Sequence, residues 1–222
     1  LLKTSYSKRI SLLKQVPNPL RKSDLDKVYC HFGGECGLTG EHQNTTYDHF
    51  IPTSWGTVVF KYGIGGHTYA NMIMLARRFN ESKRAMNPFE WYKKNRARLG
   101  IPPKKWKTLI KHVAAKHKLT PEEYEMKVYA CHEEVKAIKW MEEVNSWVKA
   151  SLKAGRYINS PHFLIMSGLW RNLNIPIVVK TYGSEDAKKL LDDETFKTII
   201  NDCKAKEYLA IHTKPSSKKR KL

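Results

Sequence analysis

From residue 124 to 152, apolar side chains recur at three- and four-residue steps: Tyr124, Val128, Cys131, Val135, Ile138, Met141, Val144, Val148 and Leu152. That period is helical. Thr120-Pro121-Glu122-Glu123 supplies an N-cap, a proline at the first position and a Glu at the third, and Gly155 supplies a stop. The pattern predicts one helix about 50 Å long at 1.5 Å per residue. Its outer face mixes Glu and Lys, so the stripe reads as core. A homodimer packed through the stripe is the other arrangement the pattern allows.

A different pattern precedes it. Thr45-Thr46-Tyr47-Asp48-His49-Phe50-Ile51 is β-branched and aromatic and predicts a strand ended by Pro52. Residues 57–62 fit a second strand or a hairpin arm, Gly63, Gly65 and Gly66 form a loop, and 71–74 return as a short strand. Residues 75–85 carry Leu75 and Phe79 among cations at helical spacing, which predicts a short basic helix. Further helices are predicted at 7–13, from a Ser23/Asp26 capping pair toward Cys30, from Asn87-Pro88, and over 102–117, 160–172, 185–191 and 194–206. Residues 175–179 read as a strand.

Composition then narrows the class. The formal charge of +19 over 222 residues favours a polyanionic partner, nucleic acid ahead of a membrane surface. No apolar run approaches the roughly 20 residues that cross a bilayer. Cys30, Cys36, Cys131 and Cys203 are too few and too dispersed for a disulfide scaffold, which fits a reducing, intracellular setting. No secretory signal is visible, although the first residue is Leu. The tail over 215–222 resembles a nuclear-import sequence and also suits a phosphate-grazing tail, so nuclear import stays open.

The candidate chemistry lies between Asp48 and Lys83. An imidazole titrates near neutral pH, so His49 can accept a proton from water. Asp48 and Asn80 offer hard oxygen donors that suit Mg²⁺ or Mn²⁺. Arg77, Arg78, Lys83 and Arg84 cluster on or beside the basic helix, where cations would meet phosphate. Adjacent strand residues point to opposite faces, so Asp48 and His49 cannot share a site from an ideal strand. A twist or a strand end is required there.

Asp48-His49-Phe50-Ile51-Pro52, then Gly56, then Asn71-Met72-Ile73-Met74-Leu75, then Asn80-Glu81-Ser82-Lys83, resembles the HNH (ββα-metal) endonuclease family. The likeness covers roughly residues 30 to 90 and is specific in combination; a lone Asp-His pair carries nothing. It implies an α+β, mostly helical protein, with a ββα-metal HNH core followed by a helical domain. The divisions are a basic arm (1–22), the nuclease core (23–100), a helical domain (101–212) and a basic disordered tail (213–222).

The resemblance further implies that His49 is the general base and that Asp48 and Asn80 hold one Mg²⁺ or Mn²⁺ per site. Asn71 would brace the loop and orient His49. Lys83, Arg77, Arg78 and Arg84 would contact DNA, double-stranded DNA above all. The products would carry a 5′ phosphate and a 3′ hydroxyl. A monomer would nick; a dimer would break both strands. A phage or mobile-element nuclease is the nearest type. The alternatives are a nucleic-acid-binding protein with an inactive HNH fold and a structure-selective or RNA-directed nuclease.

The chain departs from the family in two places. Positions that often hold a second cysteine pair read Ala76 and Phe79, so four thiolates are lacking and no structural zinc is expected. Met72, Leu75 and Phe79 are expected to form a small apolar core instead. The loop from Pro52 to Asn71 is also longer than usual. Its His67 reads as a loop residue, with reach to phosphate or metal as the other reading.

Overall fold

A computed structural model describes residues 5–16, 18–155, 174–194, 196–198 and 201. They are mostly helical, with one two-stranded antiparallel sheet, an α+β arrangement. The chain divides into two compact units, Leu1–Val135 and Lys136–Leu222.

In the first unit β1 (Thr45–His49) pairs with β2 (Met72–Ala76), in a register running from Thr45↔Ala76 to His49↔Met72. Every residue of β2 is buried, as its uninterrupted apolar sequence requires. Helices α1 (Tyr6–Leu13) and α2 (Lys22–Phe32) precede the sheet. The start of α2 lies earlier than the Ser23/Asp26 pair: the Arg21 N–H donates to Asp24 Oδ2 at 3.0 Å, so Asp24 closes the first turn. Leu13, the last residue of α1, is in the core, and beyond α1 the Leu20 N–H donates to His67 O at 2.8 Å.

Residues 57–62 are not a strand. A 3-10 turn (Thr53–Trp55) and helix α3 (Val58–Lys61) occupy the stretch. β1 and β2 pair with each other, and among the described residues no further strand offers 57–62 a ladder. Gly56 and Gly63, at φ +64 and +65, bracket the short helix. Val59 faces the core, and Lys61 Nζ reaches Glu134 at 2.7 Å.

Helix α4 (Arg77–Lys83) leaves β2 directly, and α5 (Pro88–Asn95) and α6 (Pro103–Lys116) follow. Leu75, Phe79 and Met72 are buried. The residue after β1, Phe50, is held by an aromatic cluster, with ring centroids 6.2 Å from Phe89, 6.1 Å from Trp106 and 6.0 Å from Tyr124. Tyr92 stacks on Trp106 at 4.1 Å. These contacts draw α6 and the start of α7 (Pro121–Lys153) into the first unit, so the unit boundary falls within α7 rather than after residue 100. They also fix the end of β1, where Asp48 and His49 sit.

The α7 stripe is buried within the chain from Tyr124 through Val148, which leaves only Leu152 exposed. The dimer face allowed by the sequence pattern is therefore already covered by the chain itself. In the second unit, α7 residues Met141, Val144 and Val148 pack with α8 (Ile175–Tyr182) and α9 (Glu185–Lys188), followed by a 3-10 turn (Lys189–Asp192). The strand expected over 175–179 is α8. Asn174 caps it by accepting from the Ile177 N–H at 3.3 Å, Pro176 sits in the first turn, and Ile175, Val178 and Val179 are buried at helical spacing. The helix expected over 160–172 and the basic tail lie outside the described residues; of 194–206, the described residues 194, 196–198 and 201 are helical. Among the described residues no helix is long and apolar enough to cross a membrane.

Candidate active site

Thr46 and Asp48 lie two apart on β1 and so share a face. Helix α4 meets that face. Asn80 Nδ2 donates to Thr46 Oγ1 at 3.2 Å. One turn later Lys83 Nζ pairs with Asp48 Oδ2 at 3.0 Å. The proposed oxygen donors, Asp48 and Asn80, are thus brought to one side of the hairpin. Asn80 spends its amide nitrogen on Thr46, so its Oδ1 is the pole left for a cation. One carboxylate and one amide oxygen are hard donors of the kind Mg²⁺ or Mn²⁺ takes. Among the described residues no three His, Cys, Asp or Glu side chains converge as a metal-holding group.

Lys83 is not the exposed phosphate ligand its spacing suggests. It is 2% exposed, and its ammonium also donates to the carbonyls of His49 at 2.9 Å and Phe50 at 3.3 Å. Its position three residues beyond Asn80 points it inward at β1 and makes it the counter-charge of Asp48. Burial pushes the Asp48 carboxyl above its ordinary 3.8, and Lys83 opposes that rise. Lys83→Met removes the opposing charge and destabilises the first unit by about 3 kcal/mol at neutral pH, since a buried ion loses its partner. A folded-state carboxyl raised above its unfolded value favours folding at low pH and loses that advantage as pH rises. The gap between variant and wild type therefore narrows on acidification, as thermal midpoints at neutral and mildly acidic pH would show.

His49 has its own partner. Its Nε2 lies 2.9 Å from Nδ1 of His67. Among the described residues no hydrogen bond joins its ring to Asp48 or Asn80. Burial, then His67, then Lys83 lower its pKa from 6.5 to about 4, so the ring is neutral at physiological pH. His67 is lowered too, by burial and by Lys14. A histidine 18 positions from its partner leaves no local sequence signal, which is why His67 reads as an ordinary loop residue.

Asn71 is fully buried and fully engaged. Its Oδ1 accepts from the Ile51 N–H at 2.8 Å, and its Nδ2 donates to Ile51 O at 3.0 Å and Gly66 O at 2.9 Å. One amide thereby ties the chain just after β1 to the loop before β2.

Arg77, Arg78 and Arg84 are exposed. Arg77 and Arg78 line a cavity of about 510 Å³ together with Glu41 and Glu81, and Arg78 pairs with Glu41 at 2.5 Å. Arg84 donates to Glu81 O at 3.0 Å. Lys104, Lys105, Lys107 and Lys111 are exposed on α6, opposite its buried Trp106 and Leu109. Cys36 is buried and Cys30 exposed, both as free thiols.

No protein-family model, curated protein or solved structure matches the chain.

Proposed function

We propose that the chain is a metal-dependent DNA endonuclease of the HNH (ββα-metal) type. The observation that carries this reading is the antiparallel β1–β2 hairpin running directly into α4, with Asp48 and Asn80 on one side and a neutral imidazole at the end of β1. The charge of +19 fits a nucleic-acid substrate.

In this reading His49 takes the proton from a water molecule attacking the phosphodiester. Burial keeps the ring unprotonated, so it is ready to accept. Asp48 and the Oδ1 of Asn80 would hold Mg²⁺ or Mn²⁺, which when bound supplies charge neutralisation at the phosphate and at the departing 3′ oxygen. Asn71 fixes the backbone that carries His49. Arg77, Arg78 and Arg84 are exposed cations for the DNA backbone, and the α6 lysines add a further basic face. One site per chain nicks a single strand and leaves a 5′ phosphate and a 3′ hydroxyl, in the manner of a phage or mobile-element enzyme.

One observation favours a second reading, a nucleic-acid-binding protein with an inactive HNH fold: Lys83 already neutralises Asp48. Supercoiled plasmid separates the two. Incubation with Mg²⁺ is expected to yield relaxed circles, and chelation by EDTA to stop their formation. Retarded but intact plasmid in both lanes would favour the binder.

A further inference from the structure

We infer that His67 is a positioning residue for His49, holding the imidazole in the tautomer and orientation that a general base needs. This rests on the nuclease reading of His49.

Three separate elements place His67. The loop before it hugs the chain just past β1: a Cβ on Gly65, at φ +71, would meet Ile51 Cβ at 3.2 Å and Val59 Cβ at 3.1 Å. Only glycine combines that backbone angle with that approach. Asn71 then ties Gly66 O and both backbone groups of Ile51 to one amide, setting the spacing of the chain segments that carry the two histidines. Finally, the N-terminal arm grips His67 itself. The His67 N–H donates to Leu13 O at 3.3 Å, and the Leu20 N–H donates to His67 O at 2.8 Å. Leu13 is buried, so the grip is anchored in the core.

The geometry has a chemical consequence. The 2.9 Å contact joins Nε2 of His49 to Nδ1 of His67, and it admits two proton placements. With the proton on His49 Nε2, the lone pair of His49 Nδ1 is free to accept from water. With the proton on His67 Nδ1, His49 Nδ1 carries a hydrogen and cannot accept. The first placement is assigned here. When His49 takes the water's proton it becomes an imidazolium, and its bond to His67 becomes charge-assisted. The contact therefore strengthens as the proton moves, which lowers the barrier rather than tightening substrate binding.

The test uses the full chain with ¹⁵N-labelled histidine, as wild type, His67→Ala and His67→Asn. Asn places its Oδ1 where His67 has Nδ1, so it retains the acceptor. Imidazole ¹⁵N shifts are expected to report the Nε2–H tautomer of His49 in wild type and His67→Asn, and a mixture in His67→Ala. Single-turnover plasmid cleavage by His67→Ala is expected to slow about 10- to 100-fold, the usual cost of losing a partner that orients a functional imidazole. DNA affinity stays unchanged, and His67→Asn recovers most of the rate. Wild-type cleavage rates in His67→Ala with an unaltered His49 tautomer would overturn the inference and leave the nuclease reading standing. A wild-type protein that binds DNA without cutting it would sink the nuclease reading, while the tautomer comparison still decides the role of His67. If His67→Ala does not fold, the wild-type spectrum decides: a His49 protonated at Nδ1 contradicts the assignment.

Discussion

His49→Ala is expected to lower the single-turnover rate of DNA cleavage by about 10³-fold, the scale of a lost general base. DNA affinity should stay within about threefold of wild type, because phosphate contacts set it. The ring is held neutral by burial, with a pKa of about 4, so its readiness to take a proton survives well below ordinary histidine pH values. Rate falls as pH drops through the pKa of the base, because a protonated imidazole cannot accept, and so the acid limb of the wild-type profile should lie below 6.5. Measuring rate against pH alongside gel-shift affinity checks both halves. Equal losses of rate and affinity would assign His49 a binding or structural role instead.

Asn71→Ala carries the largest expected effect on stability. The side chain is fully buried and makes three hydrogen bonds to backbone groups of Ile51 and Gly66. Truncation leaves those groups without partners in a place water reaches poorly. Each such loss costs about 1 kcal/mol or more, so the total is about 3–5 kcal/mol. At roughly 2–4 °C per kcal/mol for a chain of this size, the first unit should melt about 10 °C or more below wild type. Calorimetry checks this, and an unchanged midpoint would show that the loop is held by other contacts. Cleavage should fall with stability, since the same amide spaces the segments carrying His49 and His67.

Some of this was legible in the chain. The β-branched and aromatic run around Asp48 and the apolar run at 72–76 each specify a strand, and the two pair antiparallel from Thr45↔Ala76 to His49↔Met72. The α7 stripe specified a helix through its period alone. Other readings failed for physical reasons. Val58, Val59 and Phe60 have strand propensity, yet no partner strand among the described residues offers a ladder, and flanking glycines allow a tight helical turn. At 175–179 the β-branched residues misled, while Asn174 and Pro176 were the better signal. Asn-x-x-Lys at the end of α4 reads as a surface cation. The inward aim of Lys83 depends on how α4 lies on β1, which no local pattern specifies. His67 was hidden for the same reason. Its placement comes from a contact with His49 and from an arm more than 40 residues upstream.

The most direct measurement is a Mg²⁺ titration of supercoiled-plasmid nicking, comparing wild type with the Asp48→Ala/Asn80→Ala double variant after chelation of adventitious metal. Wild type should nick with a saturable dependence on Mg²⁺, while the variant should bind plasmid yet form no relaxed circles at any concentration that saturates wild type. Nicking that is equal in the two proteins, or independent of Mg²⁺, would contradict a cation held by Asp48 and Asn80.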